Sequence, residues 1–147
     1  MEDTFRYINI LSKHTSAYLD RALAKYNLCS AHRTFIRKIY EKPGITRDTI
    51  KNIVHVHPSN TTRIIDDLEE KGFIMKKQSP DDKRICELYP KESLKEVYDY
   101  LVKTEEEWTK IVTNGLSDEE KATFNELLKK VMQNSVDEIH KKEFINN

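Results

Sequence analysis

Two short clusters of polar side chains in the middle of the sequence have the chemistry needed to contact nucleic acid. The first directly follows Pro58 and contains Ser59, Asn60, Thr62 and Arg63. Asparagine can form paired hydrogen bonds with adenine and arginine with guanine, while serine and threonine bond to bases or phosphates. Serine, asparagine and threonine are also common where ordinary surface helices begin. The first cluster alone therefore leaves DNA binding and a plain surface helix equally open.

The second cluster lies further along the chain, where two alternating stretches flank a charged turn. Its positively charged members are Lys76, Lys77, Lys83 and Arg84. A neighbouring aspartate can pair with the Arg84 guanidinium and hold it in a pose that suits insertion into a narrow, negative minor groove. A solvated turn of mixed charge is the alternative. The position of this cluster directly behind the first one favours contact with DNA.

The spacing of apolar residues predicts the elements that position both clusters. Helices are predicted over 5–27, 31–40, 47–53 and 58–71, a hairpin over 73–89, and long helices over 91–113 and 117–140. Thr46 is the predicted N-cap of the third helix, and Ser117 with Glu120 forms a capping box for the last one. Ile50 and Ile53 are expected on the inner side of the third helix. The residues expected on the inner side of the fourth helix are Thr61, Ile64, Ile65 and Leu68.

Two short helices joined by a tight turn and followed at once by a charged hairpin form a winged helix-turn-helix. The predicted fold is mainly α, with a three-helix core, a β-hairpin wing and long N- and C-terminal dimerisation helices. We expect residues 1–30 to form the N-terminal helix of the dimerisation region and residues 31–90 the DNA-binding domain. Residues 91–147 would supply the C-terminal helices of the dimerisation region.

The apolar stripes of the long helices predict a homodimer. Isolated helices gain little stability without packing, and a winged domain of about 60 residues is too small to cover three such stripes. The residues expected at a shared interface are Ile8, Leu11, Phe124, Leu127, Val131, Val136 and Ile139. A two-fold dimer would set its two DNA-reading helices roughly 34–36 Å apart. A monomeric bundle that folds these helices on one another is the alternative.

The charge distribution permits DNA binding although the 25 Lys and Arg residues balance the 25 Asp and Glu residues. Residues 1–90 carry a net charge of +4 and residues 91–147 a net charge of −4, so the basic excess accompanies the two clusters. No apolar run approaches the roughly 20 residues that a bilayer requires, and no export signal is expected. Cys29 and Cys86 are too few for a disulfide framework, so we expect a cytoplasmic protein.

The motifs in residues 44–84 resemble those of the MarR family of bacterial and archaeal regulators. The stretch Leu68-Glu-Glu-Lys-Gly-Phe-Ile74 matches the end of the family's recognition helix, and Asp82-Lys-Arg84 matches its Asp-x-Arg wing motif. The order of predicted elements resembles the family over essentially the whole chain. One departure is visible. The family usually begins the next helix with Leu-Thr, whereas Leu88-Tyr-Pro90 intervenes here.

The resemblance implies a transcription regulator, a repressor whose homodimer binds a palindromic operator in double-stranded DNA. It implies that the first cluster, from Ser59 to Arg63, lies in the major groove and that Arg84 lies in the minor groove, steadied by Asp82. In such regulators small aromatic or phenolic effectors often bind where the dimer helices meet the winged domains. Candidate walls of an effector site are Tyr18, Tyr26, Phe35 and Trp108, although aromatic residues there are more often part of a core.

Metal binding and catalysis find little support in the sequence. Cys29, His32, His55 and His57 do not form the paired motifs that supply three or four zinc ligands, so neither a metal nor another cofactor is expected. The sequence contains no Gly-rich phosphate loop, nucleophile elbow or metalloprotease motif. We therefore do not expect an enzyme.

Two rival functions stay open on sequence alone. An adaptor or anti-repressor could use the same fold to bind a protein, because Asp66 and Asp67 place negative charge beside the presumed groove face. A small helical enzyme is the other rival, and a turnover unaffected by changes at Arg63 and Arg84 would favour it.

Overall fold

The computed structural model describes the backbone of residues 2–54 and 58–145 and the side chains of residues 3–54 and 59–141. Its helices are α1 Glu2–Leu23, α2 Arg33–Glu41, α3 Arg47–Ile53, α4 Pro58–Glu70, α5 Ser93–Val112 and α6 Asp118–Ile145. Its strands are β1 Ile45–Thr46, β2 Ile74–Gln78 and β3 Cys86–Pro90, and single 3₁₀ turns span Ala24–Tyr26 and Ser30–His32. The predicted fold class, mainly α with a hairpin wing, is confirmed.

The sheet contains one strand more than the predicted hairpin. Strands β2 and β3 pair antiparallel, with Ile74 opposite Pro90 and Gln78 opposite Cys86. The short strand β1 pairs antiparallel with the other edge of β3, with Ile45 opposite Leu88, so the strand order is β1-β3-β2. A two-residue strand carries too few residues to show an alternating pattern.

Several predicted helix ends shift by a few residues. Helix α1 ends at Leu23 instead of residue 27, because the chain turns through Asn27 in the left-handed conformation (φ 58°). Strand β3 runs through Pro90, so α5 begins only at Ser93. The prediction that Ile53 faces inward is wrong, since its side chain is 37% exposed. Ile53 lies in the last turn of this short helix, where the core does not cover it as it covers Ile50.

The helix caps are those predicted from the sequence. The Thr46 hydroxyl accepts a hydrogen bond from the backbone N–H of Thr49 at 3.1 Å, which caps α3. At the start of α6, Glu120 N–H donates to Ser117 Oγ (3.2 Å) while Ser117 N–H donates to Glu120 Oε2 (2.8 Å). These bonds satisfy backbone donors that have no partner within the helix.

The chain divides into two compact units, Met1–Trp108 and Thr109–Asn147. The first unit contains the winged fold, and its core gathers one side of every helix from α1 to α5. The core residues with no more than 1% exposure include Leu23, Phe35, Ile36, Ile39, Ile50, Ile65, Leu68, Ile74, Leu88, Leu94, Val97 and Leu101. The three-part division at residues 30 and 90 stays a prediction.

Long helices leave apolar side chains uncovered in both units. Toward the N-terminal end of α1, Phe5, Ile8 and Leu11 are exposed, whereas Leu19 and Leu23 near its other end are buried. In the second unit the exposed apolar residues of α6 are Phe124, Leu127, Leu128, Val131, Met132 and Ile139. Among the described residues, no helix has both the length and the apolar composition needed to cross a bilayer.

Candidate nucleic-acid interface

Helix α4 separates a buried apolar side from a polar side at the molecular surface. Thr61, Ile65 and Leu68 have no exposed surface, and Ile64 is 7% exposed, as the sequence predicted. Ser59, Asn60 and Arg63 are exposed, and Thr62 is half-buried. The inner side holds the helix on the core, so the four outward residues occupy fixed positions on a rigid element.

Arg63 and Asn60 are paired one turn apart on this outer side. Arg63 Nη2 donates a hydrogen bond to Asn60 Oδ1 at 3.1 Å. The pair leaves the other guanidinium donors of Arg63 and the amide donors of Asn60 available to a partner. Both side chains therefore carry donors with the geometry needed for base edges or phosphates.

Gly72 directs the chain from α4 into the wing. Its φ of +82° lies in the left-handed region. Its N–H donates to Glu69 O (3.0 Å) and the Phe73 N–H donates to Leu68 O (3.0 Å), which is the Schellman pattern at a helix end. Glycine adopts this conformation without the steric cost that other residues meet. The turn fixes where β2 begins relative to the outer side of α4.

Arg84 and Asp82 form a rigid pair in the tip of the wing. Arg84 Nε and Nη2 donate to Asp82 Oδ1 and Oδ2 at 3.1 and 3.0 Å, and the Arg84 backbone N–H donates to Oδ1 at 2.9 Å. The hydrogen bond from the Arg84 side chain lowers the pKa of Asp82. The Arg84 side chain is nevertheless 90% exposed. A bidentate partner thus orients a guanidinium that projects into solvent.

Lys76 lies on β2 but points its ammonium group at α4. It forms ion pairs with Asp66 and with Glu69 (Nζ to Oε1 3.3 Å), and its backbone N–H donates to Glu69 Oε2 at 3.0 Å. The hydrogen bond with Asp66 raises the pKa of Lys76. The structure therefore joins Lys76 to two acidic residues instead of leaving its charge exposed. Its predicted contact with DNA stays a prediction.

The other two lysines of the second cluster are exposed. Lys77 places its ammonium group 4.9 Å from the centre of the Tyr89 ring, a cation–π contact across the hairpin. Lys83 lies beside Arg84 in the tip of the wing. Because both lysines are exposed, their charges can approach a phosphate backbone.

The contact of Asp66 and Glu69 with the wing was missed in the sequence. Helical spacing places these two residues on one side of α4. Nothing local indicates that their partner is a strand lysine, because the pairing depends on how the hairpin folds back over the helix. In the sequence, this contact was indicated only by the alternation that predicts the strand and by the spacing of Asp66 and Glu69 along the helix.

The aromatic residues predicted to line an effector site do not form one cluster. Tyr18 and Trp108 stack with ring centres 4.7 Å apart, and Trp108 Nε1 donates to Thr15 Oγ1 at 2.9 Å. Tyr26 instead contacts the Tyr100 ring edge-on and donates its hydroxyl hydrogen to Glu96 at 2.9 Å. Phe35 is 1% exposed and belongs to the core.

No group of three or more metal-ligating side chains occurs in the part of the chain that the structure describes. Cys29 and His32 lie together there, whereas His55 and His57 are outside the described residues.

Comparison with known proteins relates both the sequence and the fold to DNA-binding regulators. Residues 34–86 match the model of the MarR family. The chain is 30% identical over 134 residues to the uncharacterized HTH-type transcriptional regulator YybA of Bacillus subtilis (strain 168), covering 91% of this chain and 89% of that protein.

Two solved structures share the fold over nearly the whole chain. A MarR protein from Peptoclostridium difficile DA00132 superposes with a TM-score of 0.87 at 30% identity, covering 92% of this chain and 89% of that one. A putative MarR family transcriptional regulator from Listeria monocytogenes, solved in complex with a 26mer DNA, gives a TM-score of 0.85 at 25% identity, with 94% and 92% coverage.

Proposed function

The chain belongs to the MarR family, and from this membership we propose that it is a transcriptional regulator that binds double-stranded DNA and has no enzymatic activity. Its homodimer binds a palindromic site, where α4 of each copy enters the major groove and each wing reaches the neighbouring minor groove. Binding at a promoter represses transcription.

The single observation that carries this proposal is the outer side of α4. A helix that enters a groove about 12 Å wide must bury one side on its own domain and offer hydrogen-bonding groups on the other. Asn60 and Arg63 lie on that exposed side, and Thr61 and Ile65 lie on the buried one. The wing adds an exposed guanidinium in a pose fixed by Asp82.

The pairing of Asp66 weakens the case for an adaptor that has lost DNA affinity. That alternative arose from negative charge beside the groove face. The Lys76 ammonium group contacts Asp66, and both His32 and Lys71 contact Asp67 at 2.7 and 2.8 Å. Because the ammonium groups of Lys76 and Lys71 offset the two carboxylates, the acidic pair repels phosphate less than its position in the sequence indicates.

Exposed apolar residues support the proposed homodimer. The seven predicted interface residues include Ile8, Leu127 and Ile139, which are 49%, 54% and 59% exposed in the single chain. Apolar side chains in such number on long helices favour burial against a second copy. Two-fold symmetry then requires a palindromic DNA site.

Release from DNA by a small aromatic ligand is the last part of the proposal. Tyr18 and Trp108 are the two members of the predicted aromatic set that are stacked and only half-buried. Since Trp108 is the only tryptophan of the chain, its fluorescence reports directly on that pair. A phenolic ligand that binds there should quench Trp108 emission and lower DNA affinity, whereas Tyr18→Leu should weaken both effects.

Selection of binding sites from random duplex DNA tests the proposed function most directly. The expected result is an enriched palindrome whose half-sites lie about one helical turn apart. A matched selection with the Arg63→Ala, Arg84→Ala double variant should enrich this palindrome much more weakly and with a relaxed preference at one position of each half-site. Recovery of no sequence by the unmodified protein, or of the same sequences with equal enrichment by both proteins, would contradict the proposal.

The salt dependence of duplex binding provides a second readout. Neutralisation of phosphates by lysine and arginine releases counterions, so the affinity should fall steeply with added salt. A flat dependence would favour the adaptor.

A further inference from the structure

Cys29, His32 and Asp67 form a chain of contacts that the DNA interface does not use. The Cys29 Sγ atom lies 3.3 Å from His32 Nδ1, and His32 Nε2 lies 2.7 Å from Asp67 Oδ2. The His32 side chain is 9% exposed, whereas Cys29 is half-buried. A nucleophile beside a base, with the base oriented by a third group, is the arrangement found at activated nucleophiles.

The hydrogen bonds around His32 assign its proton. The backbone N–H of Cys29 donates to Nδ1 at 3.1 Å, whereas the Cys29 carbonyl oxygen, 3.3 Å from Nδ1, could bond only to a proton on that atom. Because the backbone nitrogen always carries its hydrogen, Nδ1 acts as the acceptor. The neutral ring must then carry its proton on Nε2, where Asp67 accepts it. The lone pair of Nδ1 therefore faces both the Cys29 backbone and the Cys29 thiol. In this tautomer His32 can take the thiol proton.

Asp67 supplies negative charge behind the imidazole ring. Lys71 Nζ donates to Asp67 Oδ2 at 2.8 Å, and this hydrogen bond, together with the one from His32, lowers the pKa of Asp67. The Asp67 carboxylate accepts a hydrogen bond from the proton on Nε2 and thereby keeps the lone pair of Nδ1 turned toward Cys29.

The surrounding backbone holds the thiol in place. The His32 backbone N–H donates to the Cys29 carbonyl oxygen at 3.0 Å, and the two residues form a reciprocal capping box. The next residue is fixed as well, because Ser30 N–H donates to Asp20 Oδ1 at 2.7 Å. Lys71 also donates to the Asn27 carbonyl at 2.6 Å, which joins this turn to α4. The sulfur and the ring therefore need little reorganisation before they react.

We propose that Cys29 is a modification site for small α,β-unsaturated carbonyl compounds, with His32 as the proton acceptor and Asp67 as a positioning residue. His32 Nδ1 takes the thiol proton, and the sulfur attacks the β-carbon of the electrophile. A carbon–sulfur bond forms while the carbon–carbon double bond opens toward the carbonyl. The imidazolium returns the proton to the α-carbon. The addition consumes no oxidant and needs no second thiol.

The same contacts connect the modification to α4. Asp67 lies on that helix, on the turn that follows Arg63. An adduct on Sγ occupies the space next to Nδ1 and displaces His32 from Asp67, which removes a contact that holds α4 against the start of α2. We therefore expect the adduct to bind duplex DNA more weakly, and this consequence rests on the proposed function.

The rate of acrylamide addition, followed by intact mass, tests the reactivity. The Cys86→Ser protein reports the rate of Cys29 alone, and the Cys29→Ser protein reports the rate of Cys86 alone, which serves as the control. At neutral pH Cys29 should react about tenfold faster than Cys86, as expected for a thiol paired with a base. Equal rates for the two thiols would overturn the proposal.

Two variants in the Cys86→Ser background separate the chemistry from the packing. His32→Asn keeps an acceptor for the Cys29 N–H but has no base, so the addition should slow to the rate of Cys86. Asp67→Asn keeps an acceptor for Nε2–H and loses only the charge, so a purely structural role predicts no change and the proposed role predicts slower addition. Circular dichroism checks that each variant is folded. If His32→Asn does not fold, the addition rate of Asp67→Asn decides between the structural and the proposed role. An unchanged rate in the folded variants would overturn the proposal.

Duplex binding by the modified protein tests the coupling separately. The acrylamide adduct of the Cys86→Ser protein should bind its selected duplex at least severalfold more weakly than the unmodified protein, and the Cys29→Ser protein should not respond to acrylamide. Equal affinity with and without the adduct would overturn the coupling. If the unmodified protein binds no duplex, the proposed function and the coupling fail together, while the addition rates still decide the reactivity of Cys29.

Discussion

At the scale of single residues, two arginines have different tasks in the proposed complex. Arg63 is exposed on α4 beside Asn60, and Arg84 is exposed at the wing with its Nε and Nη2 atoms bonded to Asp82. Arginine that bonds base edges sets sequence preference, whereas arginine in a narrow groove senses the shape of the duplex. Replacement of Arg63 and replacement of Arg84 should therefore weaken DNA binding in different ways.

Arg63→Ala should weaken binding to the selected site by about 1–3 kcal/mol and relax the preference at one position of each half-site. The physical reason is the loss of a bidentate contact to a base. Fluorescence anisotropy with a set of single-base variants of the selected duplex measures both effects. A uniform loss across all duplexes would instead assign Arg63 to the phosphate backbone.

Arg84→Ala should weaken binding mainly to sites with narrow minor grooves, because the negative potential there attracts the guanidinium. Asp82→Ala tests the positioning role of the pair, since it leaves the charge of Arg84 and removes its fixed pose. We expect this variant to lose part of the affinity that Arg84→Ala loses. Anisotropy on A-tract and mixed-sequence duplexes measures the difference, and full affinity of Asp82→Ala would show that the pose does not matter.

At the scale of elements, the contacts of Lys76 hold the wing against α4. The ion pairs to Asp66 and Glu69 and the Lys76 N–H bond to Glu69 all join β2 to the helix that it follows. A wing that is fixed in this way keeps the spacing between Arg84 and Arg63 constant. In a duplex, the distance between neighbouring major-groove and minor-groove contacts is set by the DNA. A constant spacing between Arg84 and Arg63 therefore favours binding in one register.

Lys76→Met separates the two roles of this lysine, because methionine keeps the apolar stem and removes the charge. If Lys76 mainly holds the wing, the variant should lose stability and show a coupling of about 0.2–1 kcal/mol with Asp66→Asn in a double-mutant cycle. Its salt dependence of DNA binding should stay unchanged. Lys77→Met is the matched control, and its salt slope should fall by about one if Lys77 meets a phosphate. A reduced slope for Lys76→Met would restore the predicted DNA contact.

The capping box of α6 makes a prediction about the last helix. Ser117→Ala removes the hydroxyl that accepts the Glu120 N–H, so it should lower the free energy of unfolding by about 1 kcal/mol. Urea denaturation followed by circular dichroism measures the change. Ser135→Ala is the control, since this serine lies inside α6 and alanine favours helix interiors. Equal destabilisation by both changes would argue against the cap.

At the scale of the whole molecule, the apolar surface of the long helices determines the expected assembly. Leu127 and Val131 lie one turn apart on α6 and are 54% and 50% exposed. Leu127→Asp with Val131→Asp should convert a dimer into monomers in analytical ultracentrifugation, because burial of two carboxylates in an apolar interface is costly. DNA affinity should fall as the dimer dissociates. Gln133→Asp, an exposed position on the polar side of α6, should leave the dimer intact, and a monomeric unmodified protein would contradict the assembly.

The sequence by itself determined the order of the helices and the hairpin, the caps of α3 and α6, and the side of α4 that faces the core. These features are local, because helical periodicity, capping hydrogen bonds and glycine turns depend on residues within a few positions of one another. The Asp82–Arg84 pair belongs here too, since its partners are two residues apart. This is why the residues proposed to contact DNA could be named before any fold was known.

Only the tertiary structure decided which distant residues meet. The pairing of β1 with β3, the contacts of Lys76 with α4, and the approach of His32 to Asp67 all join elements that are separate in the sequence. The exposure of Ile53 was decided in the same way. Each outcome depends on how helices and strands pack around one core, and local sequence patterns carry no information about that packing.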